Sequence, residues 1–219
     1  MQPSTAYHIY THANGFENLF HSDENNRYFL ERYEHFAPSV ADTYAYCLMP
    51  NHIHFIVRIK TEKELLDFYS VKHPNKTLQG LKTLQGFRTL EELDEKEGFK
   101  ILEDFVIRQF GHLLNAYTQA FNKMYKRKGS LFIHSFKRKE ITSNDYLTNI
   151  IRYVHTNPVH HGFVKEITDW PWSSYHSLLS DAPTFLKREE VIKWFGNREE
   201  FIKFHQQPST LQGFNLEEL

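Results

Sequence analysis

His52-Ile53-His54 is the first place where this chain could do chemistry. With 14 histidines in 219 residues, chance alone supplies about one such pair, so the setting must carry the argument. The run MPNHIHFIVRI has the strand period, and residues two apart on a strand share a face. His52 and His54 therefore project together, while Ile53, Phe55, Val57 and Ile59 line the opposite, core-facing side. Two imidazoles about 7 Å apart on one strand face can grip a divalent ion when a third ligand arrives from another element. The same pattern also describes a polar sheet face with two surface histidines, and the spacing leaves both readings open.

A helix downstream can supply the third ligand. Tyr146, Leu147, Ile150, Ile151 and Val154 form an apolar stripe between Ser143, a suitable N-cap, and Asn157, where Pro158 is expected to stop the helix. Tyr153 and Asn157, four apart, stand one above the other at the edge of that stripe. Asn157 offers an amide oxygen that a hard cation accepts, and Tyr153 a phenol one turn away. A core-edge tyrosine and a helix-ending asparagine are the plainer alternative.

Charge supplies a third feature. The net charge is only -1, yet Phe105 to Lys139 contains no acidic residue and eight basic ones: Arg108, Lys123, Lys126, Arg127, Lys128, Lys137, Arg138 and Lys139. Such segregation suits a phosphate-binding face on an otherwise acidic protein, the alternative being a solvated helix and loop. Aromatic residues make up 16% of the chain, and aromatics serve both as core and as stacking platforms for bases.

The elements that must position these residues are legible in outline. AYHIYTHA (6–13) reads as a strand, NNRYFLERYEHF as a helix ending before Pro38, and DTYAYCLMPNHIHFIVRI as two strands joined by a tight Met-Pro-Asn turn. Phe105, Phe110, Leu113, Leu114, Tyr117, Phe121 and Met124 predict a long amphipathic helix over 104–125. A turn at Gly129 and an extended basic segment follow. Residues 61–104 break the pattern. Their hexads TLQGLK, TLQGFR and TLEELD run from Thr77 to Asp94, with TLQGFN returning at Thr210. Three hexads are too few for a solenoid, so this is read as an insertion grown by duplication, with a docking or dimerisation arm as its functional rival. Division into a domain over 1–180 and a helical C-terminal tail over 181–219, carrying KREEVIKWF and REEFIKFH, is expected.

At 40% hydrophobic and 24% charged residues, with no apolar run approaching the 18 or so residues of a span, no membrane segment is expected. The N-terminus lacks a signal-peptide pattern and Cys47 is the single cysteine, so a cytoplasmic, nucleoid-associated protein is expected.

The blocks MPNHIHFIV, NAYTQAFNKMYKRKGSLFIHSFKRKEI, YLTNIIRYVHTNPVHHGFV and WPWSSY, in this order, resemble the REP-associated tyrosine transposases of the single-tyrosine HUH endonuclease superfamily. The likeness covers most of the chain except residues 61–104 and roughly the last 40. It implies an α+β fold, a ferredoxin-like antiparallel sheet flanked by helices. It also implies His52, His54 and Asn157 as metal ligands and Tyr153 as the nucleophile that forms a covalent 5′-phosphotyrosine. Mg²⁺ or Mn²⁺ is the ion the resemblance implies; two imidazoles and an oxygen would equally suit Zn²⁺. The implied substrate is single-stranded DNA carrying hairpins, with Lys123, Lys126, Arg127, Lys128, Lys137, Arg138 and Lys139 on its phosphates. Trp172, with Trp170 and Tyr175, is placed to stack on unpaired bases, although core packing would also explain these aromatics. A homodimer is implied as well. The rivals are an HUH replication initiator or relaxase, a metal-dependent hydrolase that uses water, and a non-catalytic DNA-hairpin binder.

Overall fold

A computed structural model describes residues 1–72, 95–133 and 136–207, without the side chains of residues 72 and 95–99. The hexads at 77–94 and the returning TLQGFN at 210–215 lie outside the described residues.

The strand patterns become β1 (Ala6–His12), β2 (Ala41–Leu48), β3 (His52–Ile59) and β4 (Lys137–Glu140). They form one sheet of order β2-β3-β1-β4 in which every neighbouring pair is antiparallel. In chain order the helices are α1 (Asp23–Phe36), α2 (Glu62–Lys72), α3 (Glu95–Met124), α4 (Asn144–His160), α5 (Tyr175–Leu179), α6 (Arg188–Phe195) and α7 (Arg198–Gln206). A strand-helix-strand-strand-helix-strand order with this sheet order is the ferredoxin-like arrangement expected from the sequence.

Strand alternation divides the sheet into two buried faces. On the first, Ile53 and Phe55 meet α1 and α3: Tyr33 stacks on Phe55 with ring centroids 4.1 Å apart, and Phe29 meets Phe55 at 6.2 Å and Tyr117 at 5.0 Å. Burial of each such ring contributes about 1.5–3 kcal/mol. The second face, which carries His52 and His54, is covered by α4. The chain is thus layered helix, sheet, helix.

Three expected boundaries shift. Helix α3 starts nine residues before Asp104, because Leu102, Phe105 and Val106 continue the buried stripe and Phe105 meets Phe68 and Tyr69 of α2. Both ends of the 61–104 segment are therefore helical, and α2 packs on Phe105 of α3. At the other end of α3, Met124 is 58% exposed rather than buried. Helix α4 does not stop at Asn157: Pro158 lies inside it. Proline has a helical φ and is tolerated this close to the helix end, so the helix runs on to His160 and the chain turns at Gly162. There the φ of +72° ends it, with Gly162 N–H donating to Val159 O at 3.0 Å and Phe163 N–H to Pro158 O at 2.9 Å. The predicted N-cap holds, since Ser143 Oγ accepts from Tyr146 N–H at 3.1 Å.

The C-terminal helices join the same core. Leu186 bridges to Thr43 of β2, Tyr44 packs edge-on against Trp194 at 4.6 Å, and Phe201 is wholly buried beside His155 of α4. Among the described residues no helix is long and apolar enough to cross a membrane.

Candidate active site

The tight turn at Pro50 starts β3 at His52 and sets both histidines on the α4 side. They are not surface residues: His52 is 3% exposed and His54 is wholly buried. From α4, Asn157 reaches between them. Its Oδ1 lies 3.2 Å from His52 Nε2, and its Nδ2 donates to His54 Nε2 at 3.4 Å. Tyr153, one turn back, meets the His54 ring edge-on with centroids 6.0 Å apart. The structure thus brings together all four residues singled out in the sequence, each from the same chain. Tyr153 and Asn157 are buried rather than at an edge, because α4 is enclosed between the sheet on one side and α6 and α7 on the other.

Burial sets the protonation of this cluster. Desolvation depresses the His52 pKa to about 4 and holds His54 well below the ordinary imidazole value, so both are neutral and have a lone pair to offer. Desolvation also raises the Tyr153 phenol, an effect partly offset by its hydrogen bond with Asn157. His52 carries a further signal. Its Nδ1 lies 2.8 Å from Asn51 Oδ1 while its Nε2 faces Asn157 Oδ1. A neutral imidazole has one N–H, so it can satisfy only one of these oxygens. With Nδ1–H given to Asn51, Nε2 and Asn157 Oδ1 turn lone pairs toward each other, an arrangement a cation relieves. This donor set fits a divalent ion. It contains only two residues of the His, Cys, Asp and Glu class, and no group of three such residues is arranged to hold a metal among the described residues.

Several residues of this face were missed in the sequence. His8, Tyr10 and His12 share it because β1 pairs with β3, Tyr10 opposite His54 and His12 opposite His52. His12 stacks on His52 at 4.9 Å, and His161, just past α4, lies 5.1 Å from it. His8 Nε2 lies 2.9 Å from His54 Nδ1. The period-two spacing of His8, Tyr10 and His12 was the available signal; it becomes informative only once β1 is known to neighbour β3.

The basic run does not form one face. Alternation along β4 puts Lys137 opposite Tyr10 and Lys139 opposite His8, on the candidate-site side, and Arg138 opposite Ile9 on the other. Lys137 Nζ lies 5.9 Å from the Tyr10 ring and Lys139 Nζ 5.9 Å from the Tyr146 ring, whereas Arg138 pairs with Glu103 at 3.0 Å. Lys123, Lys126 and Lys128 are exposed around the turn after α3. Arg127 is turned inward there: it donates to Asn122 Oδ1 at 2.8 Å and Ser130 O at 2.7 Å, and pairs with Glu17. Its guanidinium holds the turn rather than facing solvent.

The WPWSSY segment lies along the edge of β2. Leu48 N–H donates to Trp172 O at 2.8 Å, and the partly buried Trp172 indole donates to Asp23 at 3.2 Å. Tyr175 is 3% exposed, so the stacking role expected for it gives way to core packing. Ser174 anchors the segment through a directed chain: Tyr46 N–H donates to Ser174 Oγ (2.8 Å), Ser174 O–H to His155 Nε2 (2.7 Å), His155 Nδ1–H to His205 Nε2 (2.9 Å) and His205 Nδ1–H to Phe201 O (2.8 Å). Every polar atom in it is satisfied, which fixes the rotation of α4 and hence the direction of Tyr153 and Asn157.

A four-stranded antiparallel sheet with helices on both faces, bearing a His-hydrophobic-His pair on a central strand, is a ferredoxin-like α+β fold. A solved structure of a REP-associated tyrosine transposase bound to a REP hairpin shares it, with a TM-score of 0.50 over 84% of each chain at 13% identity. No protein-family model matches the chain. In sequence, the chain is 26% identical over 164 residues to a Haemophilus influenzae protein assigned to the REP-associated tyrosine transposases, covering 74% of this chain and 71% of that one. It is 30% identical over 66 residues to an Escherichia coli REP-associated tyrosine transposase, covering 26% of this chain and 40% of the other. The chain is a homologue of the REP-associated tyrosine transposases.

Proposed function

We propose that this chain is a divalent-metal-dependent transposase-type endonuclease that cuts and rejoins hairpin-bearing single-stranded DNA through a 5′-phosphotyrosine on Tyr153. The observation that carries the reading is the convergence of a phenol, an amide and two neutral imidazoles on one enclosed face of the sheet. His52 Nε2, His54 Nε2 and Asn157 Oδ1 would hold Mg²⁺ or Mn²⁺, which when bound polarises the scissile phosphate and offsets the charge that develops on it.

Tyr153 Oη attacks phosphorus in line with the 3′-oxygen. The P–O3′ bond breaks, the phenol loses its proton, the departing oxygen gains one, and the 5′-phosphate stays on Tyr153. Bond energy is conserved in that link, so the 3′-hydroxyl of a second strand can reverse the step. Burial raises the Tyr153 phenol above its ordinary value, so the resting nucleophile is protonated and must lose its proton during attack. Tyr153 lies beside His54 of its own chain, so a homodimer of this protein would assemble each site within one subunit. Residues 1–180 would form the catalytic domain, and the working compartment would be the cytoplasm, at the nucleoid.

Hairpin phosphates and the flanking single strand would lie along β4 and the turn after α3. Replacing Lys137 and Lys139 by Ala should lower hairpin affinity about tenfold and reduce the salt slope by about 2. An unchanged slope in a filter-binding titration would place the DNA elsewhere.

The direct test incubates the wild-type chain with Mn²⁺ and labelled oligonucleotides in which a hairpin is flanked by single strands. A complex that survives denaturing electrophoresis and carries the 5′ end of the downstream fragment is expected. Cleavage without that complex would favour a hydrolase that uses water, and tight binding without cleavage a hairpin-binding protein.

A further inference from the structure

His8 touches the proposed metal site through His54 and has no part in the reaction above. It is wholly buried on β1, and among the described residues its one hydrogen-bonding contact is the 2.9 Å approach of Nε2 to His54 Nδ1. Its own Nδ1 is buried with no hydrogen-bond partner among the described residues. A phenylalanine would fill the same space without leaving a polar atom unsatisfied, so as packing alone histidine is the costlier choice. The contact with His54 is what offsets that cost.

The direction of this hydrogen bond follows from its surroundings. Asn157 Nδ2 donates to His54 Nε2, so His54 carries its proton on Nδ1 and gives it to His8 Nε2. His8 must then carry its own proton on Nδ1. In this arrangement His8 selects the tautomer of His54 whose Nε2 lone pair faces Asn157, and it fixes the angle of the ring about its Cβ–Cγ bond.

We propose that His8 is a positioning residue for His54, holding its Nε2 as a ready ligand; this rests on the reading of His52, His54 and Asn157 as the metal ligands. A ring free to flip, or protonated on Nε2, would offer the ion no lone pair. Outer-shell partners of this kind typically alter metal affinity 10–100-fold. His52 has a counterpart in Asn51, whose Oδ1 lies 2.8 Å from Nδ1 and would accept from it in the Nδ1–H tautomer that metal binding at Nε2 requires. Both proposed imidazole ligands are therefore oriented from behind, one by an amide oxygen and one by a second imidazole.

The test uses the full chain without DNA and reads two quantities. One is Mn²⁺ affinity, by electron paramagnetic resonance titration; the other is the His54 tautomer, from its ring ¹⁵N shifts. His8→Phe keeps an aromatic ring, though a larger one, and removes the acceptor, so Mn²⁺ should bind 10–100-fold more weakly and the His54 shifts should move toward a mixture of tautomers. His8→Gln, whose Oε1 can replace Nε2 as acceptor, should restore both to within a few-fold of wild type and keeps the test open if His8→Phe folds poorly. Wild-type affinity and an unchanged His54 tautomer in His8→Phe, or a His8→Gln that folds yet behaves as an acceptor-free variant should, would overturn the proposal. A wild-type chain whose His54 is locked as the Nδ1–H form by His8 yet binds no Mn²⁺ would instead overturn the ligand assignment, and with it the purpose given to His8.

Discussion

Tyr153→Phe should abolish the covalent DNA adduct, a loss of at least about a thousandfold, while leaving hairpin binding within a few-fold of wild type. The substitution removes one hydroxyl from a buried ring that still packs against the sheet and His54. Removing one hydroxyl with the ring kept should change stability by no more than about 1 kcal/mol. Denaturing gels with end-labelled oligonucleotides check the adduct, and gel shifts in parallel check affinity. Retention of the adduct at the wild-type rate would move the nucleophile to another tyrosine, with Tyr10 and Tyr146 the next to examine on this face.

His52→Ala should lose the same product for a different reason. Tyr153 and Asn157 remain, but one of two imidazole donors is gone, and Mn²⁺ affinity should weaken by a hundredfold or more. Folding should be little affected, since His52 sits at the start of β3 and both of its nitrogens face amide oxygens of which it can satisfy only one. Isothermal titration with Mn²⁺ and the adduct assay should fail together in this variant, whereas Tyr153→Phe should fail only in the adduct assay. Normal Mn²⁺ binding by His52→Ala would remove His52 from the ligand set, and normal cleavage would remove the metal from the reaction.

Local periodicity made much of the fold legible. The period of two in HIHFIVRI set His52 and His54 on the face opposite Ile53 and Phe55, and the spacing of four between Tyr153 and Asn157 put both on one side of a helix. These relations depend only on backbone geometry, so the sequence suffices to read them. The end of α4 is less legible: Pro158 reads as a stop, yet a proline two residues from a helix end is tolerated, and Gly162 with its left-handed φ is what turns the chain. The resemblance to a known family supplied the assembled fold, and the comparisons agree with it.

Which layer covers each face was decided by tertiary structure alone. Nothing local to HIHFIVRI says whether its histidine face meets water or α4, because that depends on pairings and helix docking between segments about a hundred residues apart, as His52 and Asn157 are. The same holds for His8, which gains its contact with His54 only through the β1–β3 register. The basic run shows the limit in the other direction. Its charge is a property of the sequence, but β4 alternation sends Lys137 and Lys139 to the face of the proposed site and Arg138 to Glu103, while Arg127 folds into its own turn. Side-chain type and spacing determine which residues can share a face; the packing of distant segments determines what that face touches, and so whether two histidines remain a surface pair or become part of an enclosed site.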